Sequence, residues 1–171
     1  VERIDIATAV DEVVKLANIL PQSRGRTIRV EIDTDPAPSL LADRLQLRQV
    51  LLNLLINALE ATDPEQGRVL IAAHQTRGRG RIVISDNGRG MDEPKLQRVF
   101  EPFFTSKRGG NTPGTGLGLS ISHNIIRRLG GMLYAASDGP GRGSTFTLEL
   151  PAGNAPTNAT TSHADKPALT T

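Results

Sequence analysis

The chain has 171 residues, 37% of them hydrophobic, which is enough for one compact domain with some sequence left over and too little for two full ones. Twenty basic against eighteen acidic side chains leave a formal charge of +2, too small to imply a nucleic-acid footprint from charge alone, and the absence of cysteine excludes a disulfide-stapled secreted module, a cysteine-based zinc site and a thiol nucleophile. Aromatic residues are scarce, one Tyr, four Phe and no Trp, with Phe100, Phe103 and Phe104 crowded into one short stretch, so the core is built mainly from Leu, Ile, Val and Ala.

The first residues, Val-Glu-Arg-Ile-Asp, lack the basic-then-apolar pattern of a signal peptide. The longest apolar stretch, Val50 to Leu59, is interrupted by Asn53 and Asn57, so no segment is expected to span a membrane. Ala7 to Leu20 spaces Val10, Val13, Val14, Ala17 and Leu20 along one face of a helix, with Pro21 as its stop. Thr27 to Asp33 alternates Ile28, Val30 and Ile32 with polar residues, the pattern of a half-buried strand. A Pro-rich connector, Asp35 to Ser39, comes next. Asp43 is placed to cap a long helix running to about Thr62, with Leu47, Val50, Leu51, Leu54, Leu55 and Leu59 as its apolar side.

Arg68 to Gln75 and Arg81 to Ser85 read as two strands of a hairpin turning through Arg77-Gly78-Arg79-Gly80. Arg68, Arg77, Arg79 and Arg81 form a basic patch with no aromatic residue among them to stack on bases, which reads as a solvated face rather than a nucleic-acid surface. A short helix follows from Asp92 with Pro94 in its first turn, and another runs from Gly116 to Leu129, ending at Gly130-Gly131. Met132 to Ser137 and Ser144 to Leu150 form a final antiparallel pair. Without regular βαβ alternation the class is α+β, a mostly antiparallel sheet covered by helices on one face. The expected organisation is an entry helix over residues 1–24, a domain over 25–151, and a disordered tail over 152–171, rich in Ala, Thr, Asn and Pro. Asn158-Ala159-Thr160 matches a glycosylation sequon, a short pattern that recurs by chance.

Three segments carry candidate chemistry. Asn53 and Asn57 lie one helical turn apart within an apolar segment, and a buried amide needs partners. They either hydrogen-bond a neighbouring loop or offer carbonyl oxygens to Mg²⁺ carrying a polyphosphate. In Ile84-Ser85-Asp86-Asn87-Gly88-Arg89-Gly90-Met91 a strand runs into alternate glycines. This is either an ordinary turn or a close backbone approach to a ligand, with Asp86 as a pure acceptor. Gly109 to Leu119 is glycine-rich and feeds a helix N-terminus, where backbone N–H groups favour an anion. It is not a Rossmann fingerprint, because the glycines follow a loop, nor a Walker A loop, because Gly-Lys-Ser/Thr occurs nowhere. Between the last two, Phe100 to Lys107 reads as a hydrophobic anchor ending in a cation placed to reach an anion on the glycine loop.

These segments in this order, NLLINALEA, DNGRGM, FEPFFTSK and GTGLGLSIS, resemble the N, G1, F and G2 boxes of the histidine kinase ATP-binding domain in the GHKL superfamily, which also includes gyrase and MutL. The resemblance covers about Leu40 to Leu150 and is nearest to the nitrogen-regulatory and dicarboxylate-sensor branch. It implies a two-layer α/β sandwich with ATP between the long helices under a mobile lid. Asn57 would then ligate Mg²⁺ and Asn53 would line the phosphate pocket. Asp86 would accept the adenine amine, which favours ATP over GTP because guanine presents a carbonyl there. Gly88 and Gly90 would keep the base pocket open, Met91 would pack near the base, and Ser144 or Thr145 would hold a bridging water. Gly114, Thr115, Gly116, Leu117, Gly118 and Leu119 would form the phosphate end of the lid, with Lys107 on phosphate. Glu60 departs from a frequently basic position, which shifts phosphate charge onto Mg²⁺, Lys107 and Arg108.

Hydrolytic members of the superfamily carry Glu one turn before the Mg²⁺ ligand. Here Asn53 has no useful basicity, so hydrolysis is expected to be slow. The family's phosphoacceptor His lies on a dimerisation hairpin, and His74, His123 and His163 lack its sequence context. The resemblance therefore implies a catalytic fragment of a sensor kinase, monomeric as isolated and without autophosphorylation. It would be cytoplasmic, and would act with a dimerisation domain and a response regulator of a parent protein that membrane segments elsewhere could anchor. The competing expectations are an ATPase clamp, a non-catalytic nucleotide-sensing module, and a serine kinase of the same fold.

Overall fold

Asp5 and Asp43 open the two longest helices in the same way. Each sits in extended backbone and accepts a first-turn N–H, Asp5 from Thr8 at 2.8 Å and Asp43 from Gln46 at 2.9 Å, satisfying donors that the helix leaves unpaired. The structure is a computed structural model and describes residues 1–33, 38–76, 78–105 and 115–153. Helix α1 (Ile6–Asn18) buries Ile6, Ala9, Val10, Val13 and Ala17; it starts one residue before the expected boundary and stops short of Leu20. Helix α2 (Arg44–Ala61) buries Leu47, Val50, Leu51, Leu54, Leu55, Ala58 and Leu59, the apolar side expected from its spacing.

Two strands had no clear local signal. β1 (Glu2–Asp5) and β3 (Ser39–Ala42) pair antiparallel, Glu2 opposite Ala42 and Asp5 opposite Ser39, as a small sheet of their own. Each is four residues long, and the pairing joins segments far apart in sequence. The main sheet contains β2 (Thr27–Ile32), β4 (Arg68–Thr76), β5 (Arg79–Asp86), β6 (Met132–Ala136) and β7 (Ser144–Pro151), in the order β2-β4-β5-β7-β6. Only β2–β4 is parallel, so the sheet is mixed and the class is α+β. The hairpin turn is tighter than expected: Arg79 and Gly80 are already in β5, opposite Thr76 and Gln75. A side chain on Gly80 would collide with Leu40 of β3, so glycine there lets the small sheet lie over the end of β5.

The alternation along the strands separates two faces. Val69, Ile71, Ala73, Ile82, Ile84, Phe146, Leu148 and Leu133 point to the side covered by α1, α2 and α4 (Gly118–Arg128) and form the core with them. On the opposite face Arg81 donates to Glu149 from Nε at 2.7 Å and from Nη2, so one member of the expected basic patch is paired. Glu149 is held ionised below the usual carboxylate range by the Tyr134 hydroxyl and by Arg81. The described residues pass the expected tail boundary. Ala152 is buried and bridges Leu40, and Gly153 donates its N–H to the Ser39 carbonyl at 2.9 Å. No described helix is long and apolar enough to cross a membrane.

Leu54 lies at the middle of α2 with 0% exposure. Leu54→Ala is expected to lower the unfolding free energy by about 2–5 kcal/mol in urea titrations, whereas Ile19→Ala, at an exposed position, should stay within about 0.5 kcal/mol.

Candidate functional site

A cavity of about 310 Å³ opens between α2, the ends of β5 and β7, the short helix α3 (Glu93–Arg98) and the start of α4. Asn53, Ile56, Asn57, Glu60 and Ala61 of α2 form one wall, facing Asp86, Ser144 and Phe146 from the sheet. Arg89, Gly90, Met91, Lys95, Val99, Phe104 and Thr105 close a second side, and Thr115, Gly116, Gly118 and Leu119 a third.

The two asparagines separate in role. Asn53 donates from Nδ2 to the Ser122 hydroxyl at 3.0 Å, tying α2 to α4. Gly118 permits that approach, since a Cβ there would collide with the Asn53 carbonyl oxygen. Of the two readings open from sequence, partnered amide and ligand-facing amide, Asn53 shows the first while still lining the cavity. Asn57 shows no side-chain hydrogen bond among the described residues and faces the cavity, so its amide is available to a ligand.

Asp86 is the last residue of β5, directly opposite Ser144 of β7. Its Oδ1 accepts the N–H of Gly88 at 2.8 Å and of Ser144 at 3.3 Å, and Oδ2 has no hydrogen bond among the described residues. Burial pushes the carboxyl above its ordinary range, against the opposing pull of those two N–H groups and of Arg89. Gly88 is not in the cavity wall. It lies against α2, where a side chain would collide with the Ala61 carbonyl, and Arg89 donates its N–H to that same carbonyl at 3.0 Å. Gly90 does line the cavity, at φ +65°, a conformation glycine adopts without strain. Thr145 points away: its hydroxyl pairs with that of Ser85 at 3.0 Å on the other face of the sheet, while Ser144 is in the wall.

The aromatic stretch corrects an expectation. Only Phe100 packs on the core, stacked on His123 with centroids 4.9 Å apart and edge-on to Phe146 at 6.3 Å. Phe104 lines the cavity under the Arg98 guanidinium, and Phe103 is 76% exposed at φ +62°. Gly116 backs onto Phe103, since a Cβ there would lie 2.6 Å from the Phe103 carbonyl carbon. Helix α4 starts at Gly118 rather than Gly116, with Leu117 as its N-cap and outside the cavity wall. Lys107, Arg108 and Gly114 lie outside the described residues, as do residues 109–113. Sequence reasoning missed Lys95, Arg89 and Val99. For Lys95 and Val99 a signal existed, because they are four residues apart on the short helix after Asp92 and so share one side of it.

A family model for the histidine kinase-, DNA gyrase B- and HSP90-like ATPases matches residues 42–154. The chain belongs to this family. Sensor histidine kinase ZraS of Escherichia coli K12 is 36% identical over 150 residues, 88% of this chain and 31% of its own length, so the chain spans less than a third of that relative. The mycobacterial sensor histidine kinase MprB shares the fold with a TM-score of 0.77 at 28% identity, over 88% of this chain and 98% of that one. Full-length ShkA in complex with AMPPNP matches with a TM-score of 0.75 at 32% identity, over 89% of this chain and 31% of that one. The sequence relatives are sensor histidine kinases, and membership in this ATPase family makes the domain a nucleotide-binding one.

Asp86 also gives a pH signature. Its raised folded value means that its contribution to stability is fully present below the ordinary unfolded carboxylate range and is lost as pH rises through the folded value. At neutral pH the ionised group is destabilising. Asp86→Asn, whose carbonyl can still accept both N–H groups, is therefore expected to melt above the parent at neutral pH in the absence of nucleotide. The difference should close as pH falls below the ordinary carboxylate range, as followed by thermal melts.

Proposed function

We propose that this chain is the catalytic ATP-binding domain of a two-component sensor histidine kinase, binding Mg-ATP and donating the γ-phosphoryl group to a histidine on a separate dimerisation domain. The observation that carries the reading is the pairing, across one cavity, of a carboxylate at Asp86 with one oxygen unused and an amide at Asn57 with no side-chain hydrogen bond among the described residues. The volume suits a nucleotide's base and sugar, small-molecule pockets running from about 300 Å³ upward. The donor set also fits a hard cation, since an amide oxygen is a hard neutral ligand and Mg²⁺ is held by few protein groups plus phosphate. The AMPPNP in full-length ShkA supports the same use of the fold.

Asp86 Oδ2 would accept the exocyclic amine of adenine, with Ser144 beside it to hold a bridging water and Gly90 and Met91 along the base. Asn57 would ligate Mg²⁺, which when bound neutralises phosphate charge. Asn53, fixed by Ser122, would line the phosphate end with Thr115, Gly116, Gly118 and Leu119. Lys107 and Gly114 are assigned to the phosphates by family resemblance. Asn53 cannot take a proton from water at neutral pH, so the γ-phosphoryl group is kept for the histidine rather than lost to hydrolysis. The work would be done on the cytoplasmic side, where a response regulator would receive the phosphoryl group from the acceptor histidine.

Calorimetric titration is expected to show Mg²⁺-dependent ATP binding, with GTP weaker by about tenfold or more, because a carboxylate would face guanine's carbonyl. Asp86→Asn should weaken ATP by about tenfold or more, and Asn57→Ala should remove the Mg²⁺ dependence. With a matching dimerisation domain supplied in trans, labelled phosphate should appear on histidine. Steady phosphate release that Asn53→Ala abolishes would instead identify an ATPase clamp, and binding without transfer a nucleotide-sensing module.

A further inference from the structure

Ser137 follows the last residue of β6 and opens the loop back to β7. Its hydroxyl accepts the Met91 N–H at 2.9 Å and the Gly139 N–H at 3.3 Å, and donates to the Gly143 carbonyl at 2.7 Å. A hydroxyl has one proton, and the 2.7 Å contact takes it in preference to the Gly139 carbonyl at 3.4 Å. The two ends of this relay both reach the cavity. Met91 is in its wall, and the Gly143 carbonyl belongs to the peptide whose N–H, that of Ser144, holds Asp86 Oδ1.

The loop lies directly on the turn after β5. Gly141 donates to the Arg89 carbonyl at 2.7 Å and Gly143 to the Gly88 carbonyl at 3.0 Å. Neither approach tolerates side chains: a Cβ on Gly143 would collide with the Asp86 carbonyl, and one on Gly90 with the Gly139 carbonyl. Ser137 supplies a side-chain link between the two backbones, and it does not itself line the cavity.

We infer that Ser137 is a positioning residue for base selection: its hydroxyl fixes the separation between Met91 and the Asp86 carboxylate, and so sets how strictly the cavity distinguishes an amine-bearing base from a carbonyl-bearing one. The inference rests on the reading of the cavity as an adenine-nucleotide site. Discrimination by a single acceptor requires that the acceptor stay in place. A carboxylate whose strand end can shift admits a water that relays to a carbonyl, and the rejected base is then tolerated. Without the hydroxyl, the Met91 N–H and the Gly143 carbonyl lose their shared partner, and the loop is held to the turn only by the backbone hydrogen bonds from Gly141 and Gly143.

The test is competition binding of Mg-ATP and Mg-GTP to the whole chain, beside thermal melts. Ser137→Ala is expected to weaken ATP about tenfold while GTP changes less than about twofold, so that the ATP-to-GTP preference collapses, and Ser137→Thr should restore it. Ser137→Cys keeps a side chain of similar bulk with a poorer hydrogen-bonding atom, and should fall between the two. Equal weakening of both nucleotides with a lowered melting temperature, or a Cys variant as selective as the parent, would overturn the inference and leave the nucleotide site standing. A parent chain that binds no ATP would overturn both.

Discussion

The Ala61 carbonyl accepts the Arg89 N–H at 3.0 Å, and this backbone contact sets the distance between the two halves of the site. It joins the last residue of α2, the helix carrying Asn53 and Asn57, to the turn that follows Asp86. The contact is possible because residue 88 has no side chain, since any Cβ would occupy the space of that carbonyl. Cavity width therefore depends on a helix end and a strand end being held in register, and several features serve that register. Arg26 donates to both the Thr62 carbonyl and the Thr62 hydroxyl just beyond α2, and the loop after β6 braces the turn from the other side.

The rest of the molecule divides its chemistry by face. α2 is buried along Leu47, Leu51, Leu54, Leu55 and Leu59 against the sheet, and its amides fall where that packing ends and the cavity begins. A polar residue inside so apolar a helix is tolerated either because it is bonded, as Asn53 is to Ser122, or because it faces an opening, as Asn57 does. Asp86 follows the same logic at the strand end: one oxygen is satisfied by backbone N–H groups, and the other has no hydrogen bond among the described residues and is open to a ligand donor in the cavity.

Local patterns made much of this legible. Helical spacing located α1 and α2 to within two residues at each end, and Asp43 and Asp92 cap as their positions suggest, because capping needs only the adjacent chain. The strands of the main sheet were also readable from alternation. β1 and β3 were not, since four-residue strands derive their stability from a partner distant in sequence. The aromatic stretch misled for a related reason. Three rings close together suggested a shared anchor, yet only Phe100 has a facing surface in His123 and Phe146, while Phe103 turns outward in a left-handed conformation backed by Gly116.

By itself the sequence determined the class, the helices, the family and the identity of most cavity-lining residues, because each is written in residue types and spacings along a contiguous segment. Tertiary structure decided which of two amides is tied to α4, that Ser144 rather than Thr145 faces the cavity, that Gly88 serves helix packing, and that Ser137 links the loop to the turn. These are relations between segments tens of residues apart. Hydrogen bonds and steric contacts act only over a few ångströms, so such choices are made when the segments meet in the folded chain.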